Sequence, residues 1–247
     1  MRGKSLRNLV LTSAAALAAA YALVFLSAPV DADQGLIQKI FYVHVPLAIV
    51  SLGGFVLGAI AAFRYLRTGD PTWDLRSYVS IHISLVFAVG TLVTGSIWAR
   101  ASWGHWWVWN EPTLVSFLIV FLLYCTYQPL RFAIEDPARQ ARTAAVFAVI
   151  SGAFVPLNFI AVRLAQPFSH PRVLSATGGN MPSSMRLAFL MALVAVALVY
   201  VTLWRLEISS KLASLEIRRL RRQLEAALAD DDARKPEARQ PDLAEVA

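Results

Sequence analysis

Between Trp103 and Pro112 the chain reads WGHWWVWNEP, four indoles in seven positions with His105 among them. Trp98 stands just before, so five tryptophans crowd one connection, and only Trp73 and Trp204 lie elsewhere. The chain has four histidines, His44, His82, His105 and His170. A neutral imidazole nitrogen binds metal ions, and flat indoles stack on flat aromatic ligands. Two imidazoles from different segments can therefore take the two axial positions of a heme iron while indoles cover the porphyrin. Its two propionates favour guanidinium groups, for which Arg100, Arg163 and Arg172 are the candidates. The alternative for the indoles is an interfacial belt, but a belt scatters its tryptophans over several helices.

The elements that must position these residues are membrane spans. Hydrophobic residues make up 57% of the 247 residues and charged ones only 16%, with a mean hydropathy of +0.54. Such a composition lies outside the range of soluble domains. Apolar runs at about Leu9–Leu26, Ile40–Phe63, Tyr78–Trp98, Leu114–Leu130, Thr143–Leu164 and Met185–Trp204 each reach the length of a span. The expected fold is all-α: a polytopic membrane protein with a bundle of six transmembrane helices, followed by a short amphipathic helix. Arg2, Lys4 and Arg7 precede the first run, Arg64, Arg67 and Arg76 fill the second connection, and Arg131, Arg139 and Arg142 the fourth. The positive-inside rule then puts both termini in the cytoplasm and the tryptophan loop outside. On that reading the first apolar run is a span rather than a cleaved signal peptide. His44, His105 and His170 converge on the outer face together with the indoles.

Other residues read more plainly. The single Cys125 lies in an apolar run, which excludes an intrachain disulfide, a thiolate zinc site and a doubly thioether-linked heme. His82 reads as a buried polar group satisfied by Ser80, Ser84 or neighbouring carbonyls. Glu111 admits two readings, a solvated loop carboxylate or a contact for an arginine or a basic partner. Gly54 and Gly58 make a small-xxx-small pattern for close helix approach. The formal charge of +7 belongs to basic loops and tail, not to a nucleic-acid surface. Two regions are expected, a membrane domain over residues 1–205 and a cytoplasmic basic amphipathic helix with a disordered tail over 206–247. That helix carries Leu212, Leu215, Leu220, Leu224 and Leu228 with Arg218, Arg219, Arg221 and Arg222 beside them, and suits anionic lipid or a docking partner.

WGHWWVW following TGSIWARAS is similar to the tryptophan-rich signature of the heme-handling membrane proteins of cytochrome c biogenesis. The FYVHVP element and the HP segment before GGNMPSSM, set in six spans, resemble the heme exporter protein C family over most of residues 36–204. The resemblance implies heme b, held non-covalently and transiently on the outer side of a bacterial cytoplasmic membrane, with His44 and His170 as axial ligands. It implies a platform of Trp98, Trp103, Gly104, Trp106, Trp107 and Trp109 for heme and for a heme chaperone. An ABC-type ATPase with its membrane subunits is the implied assembly partner. The motif departs from the family pattern where an aspartate and then an arginine are common, since this chain reads Asn110-Glu111-Pro112-Thr113. His105 stands outside the pattern and reads as a loop-packing residue. Nothing in the chain pairs a nucleophile with a base, so a holder is expected rather than an enzyme. A membrane b-type cytochrome, a small-metabolite permease and a docking scaffold are the competing readings.

Overall fold

The computed structural model of the chain describes residues 2–164, 181 and 183–234. Its elements are helices: α1 (Arg2–Ser27), a 3-10 turn (Leu36–Ile40), α2 (Phe41–Thr68), α3 (Pro71–Trp103), α4 (Pro112–Phe132), α5 (Pro137–Leu164) and α6 (Ser183–Arg234). All six α-helices contain a stretch long and apolar enough to cross a membrane. The chain divides into two compact units, Met1–Arg205 and Leu206–Ala247.

Local chemistry sets the helix ends, which is why α3 and α5 begin several residues before their apolar runs. Gly69, in the left-handed conformation at φ 69°, stops α2 and donates its N–H to the Tyr65 carbonyl. Asp70 then caps α3 by accepting from the Thr72 N–H at 2.9 Å and the Thr72 hydroxyl at 2.8 Å, with Pro71 at the first helical position. Asp136 and Pro137 repeat the device at α5, where the Arg139 N–H donates to the Asp136 carboxylate at 2.7 Å. At the far end of α1, Lys39 is buried and its ammonium donates to the Val24 and Phe25 carbonyls at 2.9 and 3.1 Å. A cation there satisfies carbonyls that the last helical turn leaves open.

The first unit holds two apolar clusters. In the larger, α2 to α5 pack around Phe55, Ile81, Val120, Tyr124 and Ala148, with Phe55 stacked on Tyr124 at 3.9 Å between centroids. In the smaller, α1 and the first turns of α6 close on Phe41 and Tyr42. Lipid tails are as apolar as leucine, so these helices associate through close packing and a few polar contacts. Gly54 supplies the closest approach, because a Cβ there would run into the Ser84 hydroxyl and the Tyr200 ring. Gly58 meets Ile81 in the same way, with 2.8 Å from the Cβ position to a side-chain carbon. The packing role expected for this glycine pair is what the structure contains.

Hydroxyls do the rest of the stitching. Tyr200 donates to the Ser80 carbonyl at 3.1 Å and pairs with the Ser84 hydroxyl at 3.2 Å, while the Trp204 indole donates to the Ser80 hydroxyl at 2.9 Å. Ser13 and Thr202 pair at 2.6 Å between α1 and α6. The Ser80 and Ser84 side chains thus tie α3 to α6, and the His82 ring lies 6.0 Å from that of Tyr78. Asp74 of α3 takes both terminal nitrogens of Arg131 of α4, at 2.7 and 2.6 Å, and Tyr127 accepts from the same guanidinium. In the second unit the described residues are helical, Leu212, Leu215, Leu220, Leu224 and Leu228 are exposed, and Lys211 pairs with Glu207 at 3.3 Å. The tail beyond residue 234 lies outside the described residues.

Gly53 and Gly54 make a paired test of this packing, since a Cβ at Gly53 meets nothing within 4 Å. Gly54→Val is expected to cost about 1–3 kcal/mol or more through overpacking. Gly53→Ala should leave thermal stability in detergent unchanged or slightly raised, because alanine is the better helix former. Equal melting behaviour in the two variants would contradict the contact at Gly54.

Candidate functional site

His44 is the fourth residue of α2, and Pro46 withdraws the amide that an unbroken helix would give to the Tyr42 carbonyl. Its Nδ1 lies 3.0 Å from the Thr91 carbonyl oxygen and 3.2 Å from the Thr94 hydroxyl. A carbonyl can only accept, so Nδ1 carries the proton and donates it there. Thr91 O sits in the middle of α3, where its second lone pair allows a bond beyond the helical one. The proton on Nδ1 leaves the basic lone pair on Nε2, the tautomer a metal-ligating histidine adopts when its other nitrogen is held by a carbonyl.

Gly95 makes room for the ring. A Cβ on Gly95 would stand 2.7 Å from the His44 Cε1 and 3.2 Å from Nδ1. One turn further along α3, Trp98 meets the imidazole edge to face with centroids 5.9 Å apart. The Trp98 indole N–H donates to the Gln34 side-chain oxygen at 2.7 Å, an acceptor shared with Ser102 at 3.3 Å. Gln34 is held in turn by its own backbone N–H, which donates to the Asp31 carboxylate at 2.8 Å. The chain before α2 thus braces the indole that covers His44.

These residues open onto a cleft lined by α2, α3, α4, α5 and the tryptophan loop, with about 1040 Å³ of empty space including the volume open to the outside. His44, Trp98, Trp103, Trp107, Leu114, Phe117 and Phe159 give it an aromatic and aliphatic wall. Two buried polar atoms of the lining residues lack partners. The Trp107 indole nitrogen and the Asn158 side-chain oxygen are buried and have no hydrogen-bond partner among the described residues. Buried polar atoms are normally paired, so both suit a ligand or water with polar edges. The aromatic wall and the His44 imidazole are the features of this lining that suit a flat aromatic ligand with a metal centre.

The heme exporter protein C family matches the chain over residues 1–223. The chain belongs to that family. Heme exporter protein C of Bradyrhizobium diazoefficiens is 34% identical over 180 residues, which cover 71% of this chain and 67% of the relative. The Rhodobacter capsulatus protein of the same name is 34% identical over 134 residues, 54% of this chain and 55% of its own length. That of Escherichia coli K12 is 36% identical over 130 residues, 53% of each chain. The aligned stretch thus spans about half the length of the latter two.

The five indoles expected to form one platform divide by environment. Trp98, Trp103 and Trp107 line the cleft, whereas Trp106 and Trp109 are 60% and 71% exposed. Gly104 is the C-terminal stop of α3, left-handed at φ 77°, and turns the chain between Trp103 and Trp106. Arg100 donates its guanidinium to the Gly104 carbonyl and so helps to close that helix end. His105 is exposed in the loop. His170 and Arg172 lie outside the described residues, and Arg163 is described only as backbone near the end of α5.

Glu111 corrects the sequence reading of a solvated loop carboxylate. It is fully buried at the N-cap of α4, and its carbonyl accepts from the Leu114 and Val115 N–H groups at 3.1 Å. The N-terminus of α4 favours a negative charge at this position. Gln34, Thr91, Gly95 and Asn158 carried no sequence signal of their own, since each acts through the segment it faces. Gly95→Val is expected to push the imidazole off the Thr91 carbonyl. The measurement is Soret absorbance per polypeptide after heme loading, which should fall several-fold; unchanged loading would show that the close fit over Gly95 is dispensable.

Proposed function

We propose that the protein holds heme in the α2–α5 cleft and passes it on for cytochrome c biogenesis, as a carrier rather than a catalyst. The observation that supports this most directly is His44. Its Nδ1–H is tied to a main-chain carbonyl, its ring is covered by Trp98, and its lone pair belongs to Nε2, in a cleft of aromatic walls. The relatives' shared name, heme exporter protein C, supplies the cargo.

In this reading His44 supplies one axial ligand and His170 the second. Trp98, Trp103 and Trp107 stack against the macrocycle and keep it from partitioning into lipid. Arg100, Arg163 and Arg172 are the guanidiniums for its propionates. Trp106 and Trp109, with their rings in the open, present the surface on which a heme chaperone docks, because exposed tryptophans make strong contacts in protein interfaces. The cleft faces the outer side of a bacterial inner membrane, both termini are cytoplasmic, and the protein works beside an ABC-type ATPase and its membrane subunits. Heme b is the cargo, bound without covalent linkage so that a partner can compete for iron and edge.

The test is ligand removal. His44→Ala and His170→Ala should each lower the heme that copurifies in mild detergent, about tenfold or more by pyridine hemochrome per polypeptide, with low-temperature EPR reporting loss of bis-imidazole ligation. Loss of an outer-shell partner alone ordinarily costs about 10–100-fold in metal affinity, so removing a ligand should cost at least as much. Full heme content in both variants would remove the ligand assignment, and protein free of porphyrin from the outset would favour a permease.

A further inference from the structure

We propose that the turn joining α2 to α3 binds the phosphate of an anionic lipid headgroup through Arg64, Arg67 and Arg76, arranged around Trp73 and Phe63. The site lies apart from the heme cleft and does not rest on that reading.

The guanidinium carbons of Arg64 and Arg76 lie 4.6 and 4.5 Å from the centroid of the Trp73 ring, and that of Arg67 lies 5.9 Å from the Phe63 ring. All three side chains are exposed. A guanidinium over an aromatic face keeps its N–H fork available, and that fork matches two phosphate oxygens. None of the three has a carboxylate partner or a side-chain hydrogen bond among the described residues. The reason is local. Asp74, two positions before Arg76, is taken by both nitrogens of Arg131. Asp70 is occupied by the Thr72 N–H and hydroxyl. The Thr72 backbone and hydroxyl bonds hold the Asp70 carboxyl below its usual range, with Arg76 a smaller contributor acting at a distance. Three like charges are therefore gathered on two aromatic rings, none of them bonded to a carboxylate among the described residues, and Asp70 offsets only part of that charge through space. A counter-ion from outside the chain completes the arrangement.

A lipid rather than a free anion is indicated by what adjoins the charges. Phe63 is 51% exposed and Ile60 48% exposed, one turn apart on α2 and on the helical side of the turn. They offer apolar surface for an acyl chain next to guanidiniums suited to its headgroup. Tryptophan and arginine at a span end are the side chains that sit at the headgroup level.

The experiment titrates the full-length protein in mild non-ionic detergent with phosphatidylglycerol and, separately, phosphatidylcholine, read by native mass spectrometry. Phosphatidylglycerol should bind preferentially. Arg64→Gln with Arg76→Gln should weaken it about twenty-five-fold, roughly fivefold for each charge near a headgroup, and leave phosphatidylcholine unchanged. Arg64→Lys with Arg76→Lys keeps the charge but loses the planar fork, and should still weaken binding several-fold. The single variant Arg67→Gln, exposed and far from helix packing, should lose about fivefold and serves if the double variants fold poorly. Equal binding of the two lipids would overturn the proposal. So would wild-type binding by the lysine variant, which would reduce the effect to diffuse charge. Displacement of the lipid by excess inorganic phosphate would assign the cluster to a free anion instead.

Discussion

The arrangement around the cleft depends on how closely α2 lies against α3. Gly54, Gly58 and Gly95 are points along α2 and α3 where a Cβ on one helix would collide with a side chain on another. At Gly95 the space so vacated is filled by the His44 imidazole, which reaches the main-chain carbonyl of Thr91. A donor anchored to backbone is fixed more firmly than one anchored to a rotatable side chain. Helix packing thus decides the tautomer and direction of a ring capable of binding metal, so the contact that joins the two helices also prepares the site. In a bilayer this matters more than in water, because hydrophobic burial does not press the helices together and small residues must let them approach.

Both ends of the bundle tie down buried charge. At one end Arg131 is buried and bound bidentately to Asp74, with Tyr127 completing its hydrogen bonds. Such a pair spends desolvation energy on geometry and joins α3 to α4 at a defined register. Lys39 is likewise buried, on the last carbonyls of α1. Near the cleft, polar groups are few and belong mainly to neutral side chains, so the aromatic wall stays suited to an apolar macrocycle. Glu111 is the exception, placed where the N-terminus of α4 tempers its charge.

The tryptophan loop combines two environments within a few residues because one glycine turns the chain. Before Gly104 the indoles belong to a helix, and Trp98 is braced by Gln34. After it, Trp107 returns to the cleft while Trp106 and Trp109 stay in the open. Trp107 and Trp109 meet edge to face at 5.9 Å, which couples the inner surface to the outer one.

The number of spans, their helical nature and the gathering of indoles near His44 followed from sequence alone, because hydropathy and backbone satisfaction in lipid leave an apolar run of that length few alternatives. Stops and starts such as Gly69-Asp70-Pro71 were also written locally, in residues with one conformational use. The partition of the indoles was not, since five tryptophans are alike in composition and differ only in which neighbours surround them. Nor were the roles of Thr91, Gly95 and Gln34, or the burial of Glu111. A main-chain carbonyl has no sequence signature as a histidine anchor, and a missing Cβ gains meaning only when another helix occupies the space it leaves. Those features arise from contacts between segments far apart in the chain, and only their tertiary packing decides them.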